Sequence, residues 1–349
     1  MTFQINGEKI NSDNYPYVIA EAGINHNGSV DRALEMVEVA AQSGANAIKF
    51  QTFKAVDFCG DPKQMFTYRS KGVEVTEPML DMFTRNQLPD HAWQEIKNHS
   101  LRHNITFFST PQNISDLDLL QKVGVPAVKI GSDDLTNLPL IRHFSAQGLP
   151  LILSTGMSNL AEIDDALVAA GWYTGNQVAV MVCTSQYPTP AKDVNISRVS
   201  TLRNAFPGLI VGFSDHTGND IAATMAISLG AAIFEKHFTL DHDDEGPDHW
   251  FSLTPNELKD WVHSIREAYI AKGSGKIEPS EEEIKMRVLA RRSAVACVEI
   301  PAGSRITKNA FNLRRPGSGI PPKFAELIIG RIAARDIAKN ELISWTDLE

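Results

Sequence analysis

Two histidines, His216 and His237, stand at the ends of two apolar runs, "LIVGFSDH" and "AIFEKHF". A lone histidine is more often structural. Two imidazoles ending neighbouring strands, with carboxylates and water nearby, instead suit Mn²⁺, Fe²⁺ or Zn²⁺ and leave positions open for a substrate oxygen. That is the donor set of a Lewis acid. Two lysines, Lys49 in "AIKFQ" and Lys129 in "AVKIGS", are accompanied by hydroxyls at Thr110, Ser132, Ser154 and Ser214. Two ammonium groups among hydroxyl and backbone donors make a cradle for a small phosphate or phosphate-carboxylate; the simpler alternative is that each lysine pairs with a neighbouring carboxylate. Carboxylates are at hand: Glu21 ends an early run, and Glu235 shares a face with His237, as Gln51 does with Lys49, in an extended chain.

Such residues need elements that bring them to one place. Short β-branched and aromatic runs at 17–23, 47–51, 105–110, 127–132, 151–156, 178–183, 209–215 and 232–238 read as eight strands. Helix-like stretches lie between them, such as "DRALEMVEVAAQSG", stopped at Gly44, and "NDIAATMAISLG", stopped at Gly230. Eight β-α units over about 250 residues predict an α/β fold, the TIM (β/α)8 barrel, rather than an open doubly wound sheet. A G-x-G-x-x-G between strand and helix is lacking, which counts against a dinucleotide fold. In a TIM barrel the active site is built at the C-terminal strand ends, and in all eight runs the polar residues collect at that end. An irregular insert from Val56 to Pro89 follows the second strand on the same side; so long a loop in a compact domain is usually functional.

The chain of 349 residues is 43% hydrophobic and 21% charged, enough to bury a barrel-sized core and a smaller one. The first thirty residues show no signal pattern, and no apolar run reaches the roughly 18 residues of a membrane span, so a cytoplasmic protein without membrane attachment is expected. Three cysteines without metal-ligand spacing predict reduced thiols. A net charge of −9 with no basic run disfavours nucleic acid, and leaves any anionic substrate to a few local donors. Composition changes after the barrel units: residues 1–275 read as the barrel, 276–290 as a charged linker with room for a short helix, and 291–349 as a small β-rich module. At under 60 residues that module has a thin core, and is expected to lean on another surface.

The ordered set "IAEAGINHNGS", "IKFQTFKA", "FFSTP", "VKIGS", "LILSTGM", "CTSQYPTP", "GFSDHT", "EKHFTLD" and "GPDHWFSL" closely resembles the bacterial sialic acid synthases, and the tail, with "KNAFNLRRPGSGI" and "GRIAARDI", resembles their antifreeze-like (SAF) domain. The resemblance covers nearly the whole chain. It implies condensation of phosphoenolpyruvate with an open-chain N-acetylated hexosamine and release of phosphate. It implies a divalent metal on His216 and His237, Mn²⁺ first, with Mg²⁺, Co²⁺, Fe²⁺ or Zn²⁺ as the other choices. Lys49, Thr110, Lys129, Ser132, Ser154, Ser185 and Ser214 would bind phosphoenolpyruvate. Glu21 would transfer a proton or activate water, or else orient a metal-bound water, with Glu235 as second carboxylate. Gln51, Asp134, Tyr187 and Asp248 would meet the sugar, and Arg315 would reach the partner's site in a domain-swapped homodimer.

Three positions depart from the family pattern: Asp133 and Asp134 replace Gly-Glu after "KIGS", Gln112 replaces phenylalanine after "STP", and Ser185 stands where several relatives have asparagine. The first change lies where the sugar is expected. N-acetylmannosamine would give N-acetylneuraminic acid, whereas a 2,4-diacetamido-2,4,6-trideoxymannose would give a legionaminic-type acid. Two other readings are a barrel acting on a sugar phosphate, for which no further basic cluster at a strand end is visible, and a non-catalytic sugar-binding scaffold. Lys236, facing away from the barrel mouth, is expected to snorkel to water or pair with a helix carboxylate, with no catalytic part.

Overall fold

The computed structural model describes residues 3–349. Eight parallel strands close into a barrel: β1 Tyr17–Gly23, β2 Ala47–Thr52, β3 Thr106–Pro111, β4 Val128–Ile130, β5 Leu151–Ser154, β6 Val178–Val182, β7 Ile210–Asp215 and β8 Ile233–His237. All eight expected strands are present, and the TIM barrel is the fold. Each strand is followed by a helix of the outer ring: α1 Val30–Gln42, α2 Ala92–Arg102, α3 Ile114–Val123, α4 Leu138–Ser145, α5 Leu160–Ala169, α6 Arg198–Ala205, α7 Ile221–Ser228 and α8 Pro255–Lys272.

The strands are buried nearly throughout because helices cover one face and barrel-filling side chains the other. Local chemistry sets the helix ends. Asn113 with Asp116, Asn159 with Glu162 and Thr254 with Glu257 form reciprocal capping boxes that start α3, α5 and α8. Beyond α7, Gly230 holds φ +90° and lies so close to Arg203 that a Cβ there would sit 1.7 Å from its guanidinium nitrogen. Only glycine suits both demands.

A hairpin of Phe3–Ile5 and Glu8–Ile10 crosses the N-terminal end of the barrel, with Phe3, Ile5 and Ile10 buried in the main core. The backbone amide of Gln4 donates to Gln177 Oε1 at 2.8 Å, just before β6. At the opposite end the expected irregular insert is ordered. It contains a short helix, Ala55–Phe58, a six-pair antiparallel hairpin, Met65–Ser70 with Val73–Pro78, and a helix, Met79–Asn86. Phe83 meets Phe53 and Phe58 edge to face, with Phe58–Phe83 centroids 4.9 Å apart, and Phe53 lies tilted against Phe58.

Strand register arranges the polar row at the mouth. His237 of β8 pairs with Glu21 of β1, and Glu21 with Lys49 of β2, while Ser214 of β7 pairs with Glu235 of β8. One residue out of phase, Asp215 pairs with Lys236 on the outward face. Lys236 does not snorkel. Its ammonium is buried 3.1 Å from Asp215 Oδ2 and donates to the Thr217 carbonyl, and Trp261 of α8 closes the pair by donating to Asp215 Oδ2 at 3.1 Å. The partner is thus a strand carboxylate, because neighbouring outward residues in register are nearer than any helix surface.

The chain divides after Gly273. The second unit has its own core of Ala294, Ile306, Ile320, Ile337 and Ile343 around an antiparallel pair, Ser293–Ala296 with Phe311–Arg314, and several isolated bridges. Within the segment read as linker, residues 281–290 form a helix started by a Ser280–Glu283 capping box.

The buried pair behind β7 and β8 makes a direct prediction. Lys236→Met keeps the aliphatic stem but strands the Asp215 carboxylate in the barrel wall, so chemical unfolding should register a loss of ~3–5 kcal/mol. A loss below about 1 kcal/mol would mean that the pair does not clamp the two strands.

Candidate active site

The C-terminal strand ends surround a cavity of about 280 Å³. Glu21, Lys49, Gln51, Thr110, Lys129, Ser132, Ser154, Ser185, Tyr187, Ser214, Glu235, His216 and His237, all expected from the sequence, line it together.

At its floor are four charges. Lys49 Nζ lies 2.8 Å from Glu21 Oε2 and 3.7 Å from Glu235 Oε2, and donates to Thr110 Oγ1 at 3.1 Å. Lys129 Nζ lies 3.6 Å from Glu235 Oε1 and donates to Ser154 Oγ at 2.7 Å; Ser214 Oγ donates to Glu235 Oε1 at 3.0 Å. The lysines therefore meet carboxylates and also face the cavity, so the two readings of them coincide. Burial pushes the Glu21 carboxyl upward, and Lys49 only partly offsets it. Burial acts on Glu235 in the same sense, but Lys129 and Lys49 together outweigh it and hold that carboxyl below its usual range. Of the pair, Glu235 is the standing anion and Glu21 the member that takes up a proton. With Glu21 protonated, two ammoniums face one carboxylate and the floor favours an anion.

A second cradle lies across the cavity. Ser132 Oγ accepts from the Gly156 amide at 3.0 Å. A Cβ on Gly156 would fall 2.2 Å from Ser185 Oγ and 2.7 Å from Ser132 Oγ, so the bare glycine lets both hydroxyls converge over its backbone.

The histidines form the wall nearest β7 and β8, with ring centroids 5.6 Å apart. His216 Nδ1 donates to the Thr184 carbonyl at 2.7 Å, which leaves the Nε2 lone pair for a ligand role. His237 Nδ1 is buried with no hydrogen-bond partner, 4.0 Å from Asp248 Oδ2. Burial holds this imidazole well below its usual pKa, so it is neutral and its lone pair free. An unsatisfied buried nitrogen beside a carboxylate, with a second oriented imidazole adjacent, fits a divalent cation. These donors do not gather with a third histidine, cysteine or acid to within 4.8 Å of one another; among the described residues only Glu38, His99 and His103, elsewhere, do so.

Three expected sugar contacts fall differently. Asp248 borders the cavity, its Oδ2 being 3.7 Å from where a Cβ on Gly23 would sit, beside Glu21 and Gln51. Asp134 does not line it: that carboxylate accepts from Asn137 Nδ2 at 3.0 Å, and Asp133 takes its place, folded over Gly131. In that turn the glycine, rather than any alternation, decides which aspartate faces inward. Arg315 lies exposed in the second unit. Phe58, Phe83, Gln112, Met157 and Cys183 also line the cavity. Cys183 could have been found, as the next residue after β6, and its sulfur lies 3.8 Å from His216 Nδ1. Met157, held at φ +64° on the rim, and the two phenylalanines of the insert left no periodic signal.

The family model described as the NeuB family matches residues 36–277, and that of the SAF domain residues 291–349. The chain is 38% identical over 328 residues to the N,N'-diacetyllegionaminic acid synthase of Campylobacter jejuni, covering 93% of this chain and 98% of the relative. It is 36% identical over 337 residues to the enzyme of the same name from Legionella pneumophila, covering 95% and 94%. The crystal structure of N-acetylneuraminic acid synthetase from Leptospira borgpetersenii superposes with TM-score 0.73 at 31% identity, covering 82% of this chain and 96% of that one.

The Gly156 cradle is testable without any substrate. Gly156→Ala should weaken inorganic phosphate binding, followed by calorimetry, about tenfold, the equivalent of one hydrogen bond to a charged acceptor. Unchanged affinity would remove Ser132 and Ser185 from the anion site.

Proposed function

The chain belongs to the NeuB family and carries a SAF domain, and from that premise we propose that its barrel mouth makes a nonulosonic acid from phosphoenolpyruvate and an open-chain N-acetylated hexosamine. The observation that carries the reading is the buried floor of two lysines and two carboxylates next to two adjacent imidazoles. In the reaction C3 of phosphoenolpyruvate bonds to the aldehyde carbon, whose oxygen gains a proton. Water adds to C2, and the C2–O bond to phosphorus breaks to release inorganic phosphate.

Lys49 and Lys129 hold the phosphate and carboxylate of phosphoenolpyruvate, with Thr110, Ser132, Ser154, Ser185 and Ser214 supplying shorter donors. Glu21 is the group that holds or yields the moving proton, since its carboxyl is the more basic of the two. Glu235 remains ionised and keeps both ammoniums in place. His216 and His237, with Asp248 beside them, would hold the divalent metal, and Mn²⁺ suits two imidazoles with oxygen donors and exchangeable waters. When bound, the metal supplies polarisation of a carbonyl oxygen and orientation of the sugar.

For the sugar we favour the 2,4-diacetamido-2,4,6-trideoxyhexose. Two relatives at 36% and 38% identity bear the legionaminic name. Phe58, Phe83 and Met157 give the cavity an apolar flank suited to a C6 methyl, while Gln51, Tyr187, Asp133 and Asp248 offer polar contacts. N-acetylmannosamine is the second reading, favoured by the likeness to the Leptospira structure.

The assembly we propose is a homodimer with exchanged tails. Ile284, Val288 and Leu289 leave more than half of their surface exposed on the helix 281–290, an apolar face at helical spacing that needs a cover. Arg315 of the partner subunit would then complete the sugar end of the site. The setting we assign is the cytoplasm, supported by three cysteines without a disulfide. No helix among the described residues is long and apolar enough to cross a membrane.

Incubation of the Mn²⁺-loaded protein with phosphoenolpyruvate and either sugar should release phosphate and yield a nine-carbon acid, faster with the trideoxy sugar. No turnover with either sugar overturns the activity. His237→Ala should lose metal content and turnover together, and full activity in chelator contradicts the metal role. For the tail, Arg315→Ala should raise the KM for the sugar ~10-fold or more while leaving that for phosphoenolpyruvate unchanged, the scale of a lost charged hydrogen bond. An unaltered sugar KM counts against exchange.

A further inference from the structure

On the outer ring, α1 and α2 bring together three side chains that the synthase reaction does not use. Glu38 lies on α1; His99 lies on α2, and His103 is the residue that caps it, one helical turn further on. His99 Nε2 is 3.0 Å and His103 Nε2 3.8 Å from the same oxygen, Glu38 Oε1, and one ligand atom from each residue lies within 4.8 Å of the others. The imidazole rings are 4.6 Å apart. In a tetrahedral site with metal–ligand bonds of about 2.0–2.1 Å, neighbouring donors stand about 3.3–3.4 Å apart. The two measured separations bracket that value, so an ion needs only small side-chain movements. None of the three lines the barrel-mouth cavity. His103 lies in the short turn that leads into β3 and therefore toward the N-terminal end of the barrel, away from His216 and His237.

We propose that Glu38, His99 and His103 form a second divalent-metal site, of the zinc, cobalt or nickel class, that joins α1 to α2. Two imidazole nitrogens and one carboxylate select borderline ions over Mg²⁺ and Ca²⁺, which prefer oxygen. Water completes the shell, for Glu38 is 43% and His103 33% exposed, leaving an open path to the more enclosed His99. One neighbour opposes binding. Arg102 donates to His99 Nδ1 at 2.7 Å, which keeps the ring proton on Nε2, where it faces Glu38. A metal taking Nε2 sends that proton to Nδ1, and the exposed guanidinium of Arg102 must swing into water. Arg102 thus weakens the site by charge and by tautomer. Because the ion would tie two helices of the folded barrel, it stabilises the native state in proportion to its affinity.

The test uses the full-length chain, stripped by chelator and titrated with Zn²⁺ by calorimetry. In the His237→Ala background one equivalent should still bind and the melting temperature should rise. His103→Gln added to that background should weaken this binding by more than about 100-fold, beyond what loss of an outer-shell partner alone costs, and remove the thermal shift. Arg102→Gln should strengthen it several-fold. His103→Gln alone should leave turnover unchanged, which separates this site from the catalytic one. If His237→Ala does not fold, the same result is read as one of two equivalents lost from the wild-type chain upon His103→Gln. Zn²⁺ binding whose stoichiometry and affinity survive His99→Ala with His103→Gln, or no binding beyond the barrel-mouth ion at millimolar Zn²⁺, overturns the proposal.

Discussion

Four buried charges at the floor of the barrel set the terms for the rest of the molecule. Glu21, Lys49, Lys129 and Glu235 come from β1, β2, β4 and β8 and have side chains no more than 5% exposed. Ions so placed are tolerated only when each has a partner at close range. The strands must therefore close in one register, since a slip of one residue would turn these groups into the hydrocarbon layer and bring Asp215 and Lys236 inward. The hydroxyls of Thr110, Ser154 and Ser214 add one hydrogen bond each to Lys49, Lys129 and Glu235. A substrate anion enters a place where cations are already fixed, so little reorganisation accompanies its binding.

The imidazole wall shares this constraint. His237 stands beside Glu21 in the strand row, and His216 is oriented by a carbonyl of the preceding connection, that of Thr184 after β6. Burial keeps His237 neutral, and Glu235 nearby stays ionised. Anion floor and imidazole wall thus belong to one electrostatic unit, in which the proton on Glu21 is the adjustable quantity.

Most of this was legible from the chain because its signal is local. A polar residue at the end of a buried run, repeated eight times, needs no knowledge of distant contacts, and period two separates Glu235 and His237 from Lys236 without a structure. What stayed hidden depends on pairing between remote segments. The partner of Lys236 followed from the β7–β8 register, which no single run contains. The choice of Asp133 over Asp134 followed from a turn shaped around Gly131, where no periodicity operates. Phe58 and Phe83 lie 25 positions apart in an insert whose hairpin folds them together, whereas the helix at 281–290 falls where the linker leaves room for one. The grouping of Glu38 with two histidines also spans separate helices, although the i, i+4 spacing of His99 and His103 was present in the chain.

Trp261 gives the outward ion pair a temporal meaning. Its indole closes over Asp215, yet it belongs to the last helix of the barrel. During synthesis β7 and β8 emerge before that indole exists, so Asp215 and Lys236 remain hydrated and the two strands carrying the histidines stay unsealed. The pair is covered only once the chain has passed residue 261 and α8 has docked. The order of amino acids along the messenger thus delays the most charge-sensitive part of the molecule until its cover is available.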